Sequence, residues 1–528
     1  MFVNVGRRLS DQATRMPEAI AVVEATGRGS DGRYRYRQAT FRELDDDSTR
    51  IAAGLIAGGL SRGTRTVLMV YPGIDFISLV FALFKAGAVT VLIDPGMGRG
   101  PLIRCLRDVR PEAWIGVPKA QAVRAMLRWL FPRPRCLVTV GTRLFWGGTT
   151  LARLRRSTAV AEVPVAVTPN DPAAIIFTSG GTGPPKGVLY THGNFDAQVD
   201  QIEQHYGIKP GEIDLPCFPL FGLFNCAMGV TAVIPPMDAS RPAQADPRAI
   251  VETACDWRVT QAFASPAVWK NVGAYAAKQG ATIPCWRRVM SAGASVPTEV
   301  LERMLACISP EGDMFTPYGA TEALPVASIS AREVISETAA ATRAGGGVCV
   351  GRRFSGIRWK IIRIVDGPIA TLDQAEELPQ GEIGEMIVAG PVVTTRYVTR
   401  VEANAWAKIA DGDGFWHRMG DVGYLDNQDR FWICGRLVHR VVTAQGVQRA
   451  SVGNAQRSCR RWVATESNAG DRRRIASRTL ASERGRSPPL VRRISHRGEP
   501  ASAHRRDCAF SHPPGLSRRC AAQRQDRP

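Results

Sequence analysis

No two of the 12 cysteines stand at C-x-x-C spacing. That speaks against a zinc site and against a disulfide framework, and reduced thiols are the simplest reading. No apolar run is long enough to cross a bilayer. The longest, 76–93, is broken by Lys85 and Gly87 and reads as a helix followed by a strand. Residues Met1 to Arg8 hold no apolar stretch of the sort a leader carries, so the expectation is a cytoplasmic chain without leader or transmembrane segment. A further absence lies at the other end: residues 447–528 contain no lysine, although they hold 19 arginines.

That last absence changes the meaning of the charge. The formal net charge is +20, but 447–528 set 19 arginines against 6 acidic residues, so +13 belongs there and +7 to the first 446 residues. The body is therefore not expected to bind nucleic acid, a partner that a basic surface would otherwise suggest. A chain of 528 residues is too long for one core, and two or three domains are expected.

Along the chain, short apolar strands alternate with amphipathic helices. Strands are expected at 19–23, 67–70, 89–93, 113–117, 137–140, 173–177, 188–190 and 260–264. Helices are expected at 5–15, 41–59 with Thr40 as N-cap, 74–86, 101–110, 195–206, 250–257, 268–278 and 298–306. A hairpin is expected over 424–434. Most of 118–169 gives no clear period. Strand–helix alternation with short Gly/Pro breakers indicates an α/β fold with parallel-rich sheets packed by helices.

The strand ending at Phe177 runs into Thr178-Ser179-Gly180-Gly181-Thr182-Gly183-Pro184-Pro185-Lys186-Gly187. Glycines allow successive N–H groups to point into one concavity, and the hydroxyls and the Lys186 ammonium add donors and charge, a combination suited to a polyphosphate. It is not the Walker loop, since Pro185 precedes the lysine and no Ser or Thr follows it. Alone, it reads first as a Gly/Pro turn on the surface. Downstream, Thr316-Pro317-Tyr318-Gly319-Ala320-Thr321-Glu322 offers a π face, a hydroxyl and a hard oxygen ligand for a magnesium ion. Arg288 to Pro297 is a strand entering a Gly293-Ala294 turn, where backbone can approach a flat ring. Trp416-His417-Arg418-Met419-Gly420-Asp421 ends on a carboxylate able to accept two hydroxyl donors.

Taken together these stretches resemble the acyl-adenylate-forming superfamily over about residues 1–446, with Gly181 where a Ser or Thr is usual and Met419 where a Thr is usual. The resemblance implies an ATP-dependent, magnesium-using ligase. Lys186, Thr321, Glu322 and Arg436 would be catalytic. Thr178, Ser179, Gly180, Thr182, Gly183, Lys186, Gly293, Ala294, Tyr318, Gly319, Thr321, Asp421 and Arg436 would bind ATP, and Glu322 would hold Mg²⁺. Phe221, Gly222 and Phe224 would face the acid, Gly222 standing at a position that is His in many members. His192 reads as a polar group tying a helix start rather than as a proton carrier.

Within the superfamily, the runs Tyr190–Gln198, Phe218–Met228 and Glu322–Pro325 resemble the branch that closes β-lactones in olefin biosynthesis. The resemblance implies a long-chain β-hydroxy acid as substrate, with other enzymes of that pathway as partners. The alternatives are a long-chain acyl-CoA synthetase and an inactive nucleotide-binding remnant. The last arises because the resemblance stops near Gly446, where members continue into a small domain bearing a catalytic lysine. The expected organisation is a body over 1–435, a hinge over 436–446 with His439 at the usual hinge position, and an Arg-rich tail over 447–528. The tail is expected to be disordered, from a shifted reading frame, with a basic arm or degenerate structure as the other readings. Activity is expected to be weakened by the missing lysine.

Overall fold

Two seven-stranded sheets organise the body. The computed structural model describes residues 3–157, 163–178, 183–218, 220–442, 447–449 and 463–464. The chain divides into two units, Met1–Val441 with Arg449–Val463, and Val442–Gln448 with Ala464–Pro528. The sheets and helices of the body belong to the first.

The first sheet runs, in spatial order, Asp313–Phe315, Arg288–Ser291, Gln261–Ala264, Ile213–Pro216, Thr231–Ile234, Ile20–Arg28 and Tyr34–Thr40. All neighbours are parallel except the closing hairpin of Ile20–Arg28 with Tyr34–Thr40. The second runs Thr149–Thr150, Cys136–Thr139, Ala113–Gly116, Arg65–Met69, Val89–Leu92, Pro172–Phe177 and Gly187–Thr191. It too is parallel but for its last pair.

Helices Phe41–Ala57 and Ile74–Lys85 lie between the two sheets. One core joins Ala21 and Val22 of the first sheet, Ala113 and Ile115 of the second, and Leu44, Ile51 and Phe81 of the helices. Ile74–Lys85 is apolar nearly all round because it is covered on every side. Its one cation, Lys85, is buried but paired: Nζ meets Asp45 Oδ1 at 2.5 Å and donates to Ser48 Oγ and Thr49 Oγ1, as a buried charge requires. Thr40 caps Phe41–Ala57 as expected, in a reciprocal capping box with Glu43. The outer face of the first sheet is covered by Pro247–Asp256, Pro266–Gln279 and Thr298–Cys307.

A third, antiparallel sheet follows in the order Val348–Cys349, Phe431–Arg436, Gly414–Leu425, Gly384–Ala389, Arg358–Ile362, with Lys408–Asp411 also on Gly414–Leu425. The expected hairpin over 424–434 is the end of its central pair, in which Asp421 stands opposite Arg436. Several elements escaped the pattern, among them strands Ile213–Pro216 and Thr231–Ile234 and helix Phe221–Met228. Tyr34–Thr40 is an edge strand with a single buried side chain, so it lacks an apolar signal. Pro118–Met126 is a helix in the stretch without a clear period. No helix among the described residues is long and apolar enough to cross a membrane.

Parallel strands send their C-terminal ends the same way, so the loops leaving them share one edge. In the first sheet, four neighbouring strands deliver to that edge the approach to helix Phe221–Met228, the start of helix Pro266–Gln279, the Gly293-Ala294 turn and the Thr316–Glu322 segment.

Candidate active site

Thr178 and Lys186 close the Gly-rich loop. The N–H of Thr178 donates to the Lys186 carbonyl at 3.0 Å, and the Lys186 N–H donates to Thr178 Oγ1 at 3.1 Å. Ser179, Gly180, Gly181 and Thr182 lie outside the described residues. Gly183 is exposed, with φ +153°. Beyond the loop, Gly187–Thr191 gains a partner from a distant segment: Val188 pairs with Tyr397, Leu189 N–H donates to Arg396 O at 3.0 Å and Val398 N–H to Gly187 O at 2.9 Å. Gly187 N–H also donates to Thr399 Oγ1 at 2.8 Å.

This pairing sets Tyr397 beside the lysine. Lys186 Nζ lies 3.2 Å from the Tyr397 hydroxyl and 4.4 Å from its ring centroid, a cation–π contact as well as a hydrogen bond. The hydroxyl in turn donates to Glu322 Oε1 at 2.6 Å. Burial, then the Glu322 charge, drive the Tyr397 phenol far up from its ordinary pKa, so it stays a donor. Glu322 is held from behind, since the N–H and Oγ1 of Thr394 both donate to its main-chain carbonyl at 2.9 Å. Lys408 Nζ donates to Thr394 O. Desolvation pushes Lys408 down to about 7, against the pull of Glu322 and together with the repulsion of Lys186.

A second cluster forms around Asp421, which is buried. Tyr318 OH donates to Asp421 Oδ2 at 2.6 Å and Arg436 Nη1 to Oδ1 at 2.8 Å. Burial raises the Asp421 pKa, and Arg436 and Tyr318 pull it back. The Glu322 charge is also felt there, which places the two carboxylates in one electrostatic neighbourhood. Gly293 has φ +93°, and a Cβ built on it would meet no atom within 4 Å. The turn therefore presents bare backbone beside open space, and Ala294 next to it is exposed.

The segment carrying Thr321 is fixed by helix His192–Tyr206 and the strand before it. Tyr190 OH donates to Thr321 O at 2.5 Å, and Gln198 Nε2 to Leu324 O at 2.8 Å. Asn194, in a capping box with Thr191, reaches Pro391 O at 2.8 Å. From Tyr190 a run of rings leads away: Tyr190 stacks on Phe195 at 5.1 Å, Phe195 is 6.3 Å from Phe224, Phe224 is 5.9 Å from Phe221, and Phe221 stacks on Phe263 at 3.6 Å. Gly222 departs from its neighbours. A Cβ there would point at Ile77, Ile234 and Ala232, the core between the sheets, so a side chain at this position would not join the aromatic surface.

His192 is buried and accepts from Val5 N–H at Nδ1, 3.3 Å. Desolvation lowers its pKa to about 4. It ties the helix start to the N-terminal segment, the role expected for it.

Lys186, Glu322, Thr321, Tyr318, Asp421 and Arg436, up to 250 positions apart, thus form two linked clusters. Three residues of the neighbourhood carried no sequence signal of their own: Tyr397 and Thr394 lie in an irregular stretch and Lys408 opens the short strand Lys408–Asp411, and their place opposite Gly187–Thr191 and Gly414–Leu425 brings them in.

Residues 9–398 match the family model described as AMP-binding enzyme. The chain is 47% identical over 451 residues to an olefin beta-lactone synthetase of Stenotrophomonas maltophilia, spanning 84% of this chain and 81% of that protein. It is 45% identical over 450 residues to an olefin beta-lactone synthetase of Xanthomonas campestris pv. campestris, spanning 84% and 80%. Among solved structures, a long-chain-fatty-acid-CoA ligase from Archaeoglobus fulgidus superposes with a TM-score of 0.69 at 21% identity, covering 83% of this chain and 84% of that one.

Proposed function

The chain belongs to the AMP-binding enzyme family, an ATP-dependent, adenylate-forming ligase, and on that premise we propose that it activates a long-chain β-hydroxy acid as its acyl-adenylate and closes it to a β-lactone. The observation that carries this reading is the 47% and 45% identity to two olefin beta-lactone synthetases across four-fifths of their length. The rings from Tyr190 to Phe263 support it, since they offer an apolar surface that begins at the Thr321 carbonyl.

A magnesium nucleotide suits the residues present. Among the described residues, Glu322 Oε1 is engaged by Tyr397 and no hydrogen bond occupies Oε2, which leaves a hard oxygen for the ion. Each Asp421 oxygen holds one donor and keeps a second acceptor site for a ribose hydroxyl. The open Gly293 turn and the Tyr318 ring offer two faces to a purine. When bound, Mg²⁺ would neutralise phosphate charge.

In the proposed reaction a carboxylate oxygen of the acid attacks the α-phosphorus and pyrophosphate leaves. The Lys186 ammonium stabilises the charge that gathers on the phosphorus oxygens. Thr321 directs its hydroxyl at the α-phosphate or carboxylate. The substrate's own β-hydroxyl then attacks the acyl carbon, its proton is lost and AMP leaves. The nucleophile is intramolecular, so high effective molarity replaces a second substrate. The superfamily's C-terminal lysine has no counterpart in 447–528, which contain none, and the rate of the first step is accordingly expected to be low.

The test is incubation of purified protein with ATP, Mg²⁺ and a long-chain β-hydroxy acid. Lactone and AMP formed without CoA support the reading. A thioester formed only with CoA replaces it with an acyl-CoA ligase, and nucleotide binding without pyrophosphate exchange replaces it with a remnant.

A further inference from the structure

The outer part of the second sheet carries a surface that adenylate chemistry does not use. Residues 113–161 include nine Lys or Arg and no Asp or Glu. They span the edge strand Thr149–Thr150, the next two strands inward, Cys136–Thr139 and Ala113–Gly116, and their connections. Several large apolar side chains in these connections stand in water: Met126 is 68% exposed, Trp129 73% and Phe145 83%, with Val123 and Leu144 about half exposed. Val123 and Met126 are three apart on helix Pro118–Met126 and so share a face. Trp129 continues in the turn that follows.

Cations interleave with these tips. Lys119, Arg128, Arg133 and Arg143 are exposed, and among the described residues none of the four forms an ion pair. The two acids that precede the stretch, Asp108 and Glu112, are already paired, with Arg107 at 3.5 Å and Arg135 at 3.4 Å. Scattered single apolar residues on a surface need no explanation, but Val123, Met126 and Trp129, exposed together on one helix and the turn after it among unpaired cations, do.

The core of a protein–protein interface is depleted of charge, whereas here Lys119, Arg128 and Arg133 alternate along the chain with Val123, Met126 and Trp129. That alternation fits a bilayer surface, where Trp, Phe, Leu and Met enter the headgroup boundary and Lys and Arg meet lipid phosphates. We infer that the patch formed by Lys119, Val123 and Met126 on one face of helix Pro118–Met126, and by Arg128, Trp129 and Arg133 in the turn after it, docks the protein on membranes rich in anionic lipid. The inference stands apart from the substrate reading, since any adenylate-forming activity leaves this face free.

The experiment is co-sedimentation of the full chain with vesicles of phosphatidylglycerol and phosphatidylcholine, against vesicles of phosphatidylcholine alone, at low and high salt. Binding to the anionic vesicles that weakens with salt is expected. Because 447–528 hold 19 arginines that could act alone, the deciding arms are M126D/W129D and R128E/R133E. Each is expected to weaken binding at least about tenfold, with the melting temperature unchanged because all four side chains are exposed. Brominated lipid should quench part of the tryptophan fluorescence of the wild type, and W129F should remove that part while still binding. Wild-type binding by both double variants would overturn the inference and assign the effect to the tail. So would a wild type that ignores vesicles, including one that instead pairs with a protein through these residues.

Discussion

Lys186 and Glu322 share one phenol: the Tyr397 hydroxyl lies 3.2 Å from the lysine ammonium and donates to the carboxylate at 2.6 Å. The Gly-rich loop and the Thr-Glu segment come from different sheets, and the strand pairing of Val188 with Tyr397 brings their charges together. Replacing Tyr397 by Phe keeps the ring against Lys186 and removes only the hydroxyl. A hydrogen bond to a charged group is worth about 1.5–3 kcal/mol, so Y397F should lower kcat/KM for ATP–pyrophosphate exchange by roughly 10- to 150-fold. K186A, which removes the cation itself, should lose about 10²–10³. An unchanged Y397F rate would show that the phenol is only packing.

Asp421 receives two donors, Tyr318 OH and Arg436 Nη1. An Asn at this position keeps one carbonyl oxygen for Arg436 and turns its amide nitrogen to Tyr318, whose hydroxyl must accept instead of donate, and the charge facing Arg436 disappears. D421N should weaken AMP binding about 10- to 100-fold, on the scale of charged hydrogen bonds. Calorimetric titration with AMP measures this directly, and affinity within a factor of two of wild type would remove Asp421 from the nucleotide site.

Much of this geometry was legible before any fold was known, and the reason differs by residue. Lys186, Tyr318, Glu322 and Asp421 sit in short motifs whose residue types announce phosphate, ring and metal chemistry. Strands such as Val89–Leu92 and helices such as Ile74–Lys85 follow from apolar runs and breakers. Tyr397, Thr394 and Lys408 could not be read this way, because their role depends on a long-range pairing with no local period. Gly222 is a different case. Alignment by position put it at the substrate, whereas its direction is set by the turn of helix Phe221–Met228, which aims it at Ile77.

His192 gives a pH signature. Its folded pKa is lowered to about 4 from an ordinary value near 6.5. Between those values the unfolded chain binds a proton that the folded chain refuses, so stability is complete above about pH 6.5 and falls as pH drops towards 4. Protonation also converts Nδ1 from acceptor to donor, which opposes the Val5 N–H. The loss should reach on the order of 3 kcal/mol at the acid end. Thermal melts from pH 7 to 4 should show that slope in the wild type and a flatter one in H192N, measured as the difference between the two curves. Parallel curves would place the proton uptake elsewhere.

Every side chain in the two linked clusters comes from residues up to Arg436, and the lysine that members of the superfamily carry beyond that point has no equivalent in 447–528. A chain ending at residue 464 should therefore bind AMP and exchange pyrophosphate within about twofold of the full chain, a difference of about 0.4 kcal/mol in free energy. Both rates should be low, because the cations left to stabilise the transferring phosphorus are Lys186, Arg436 and whatever metal is bound, and one missing donor costs about 10²–10³ in rate. The comparison also separates two accounts of low activity. If shortening abolishes a measurable rate, the arginines of the tail stand in for the lost ammonium. If it leaves the rate unchanged, the body performs on its own whatever chemistry the protein retains.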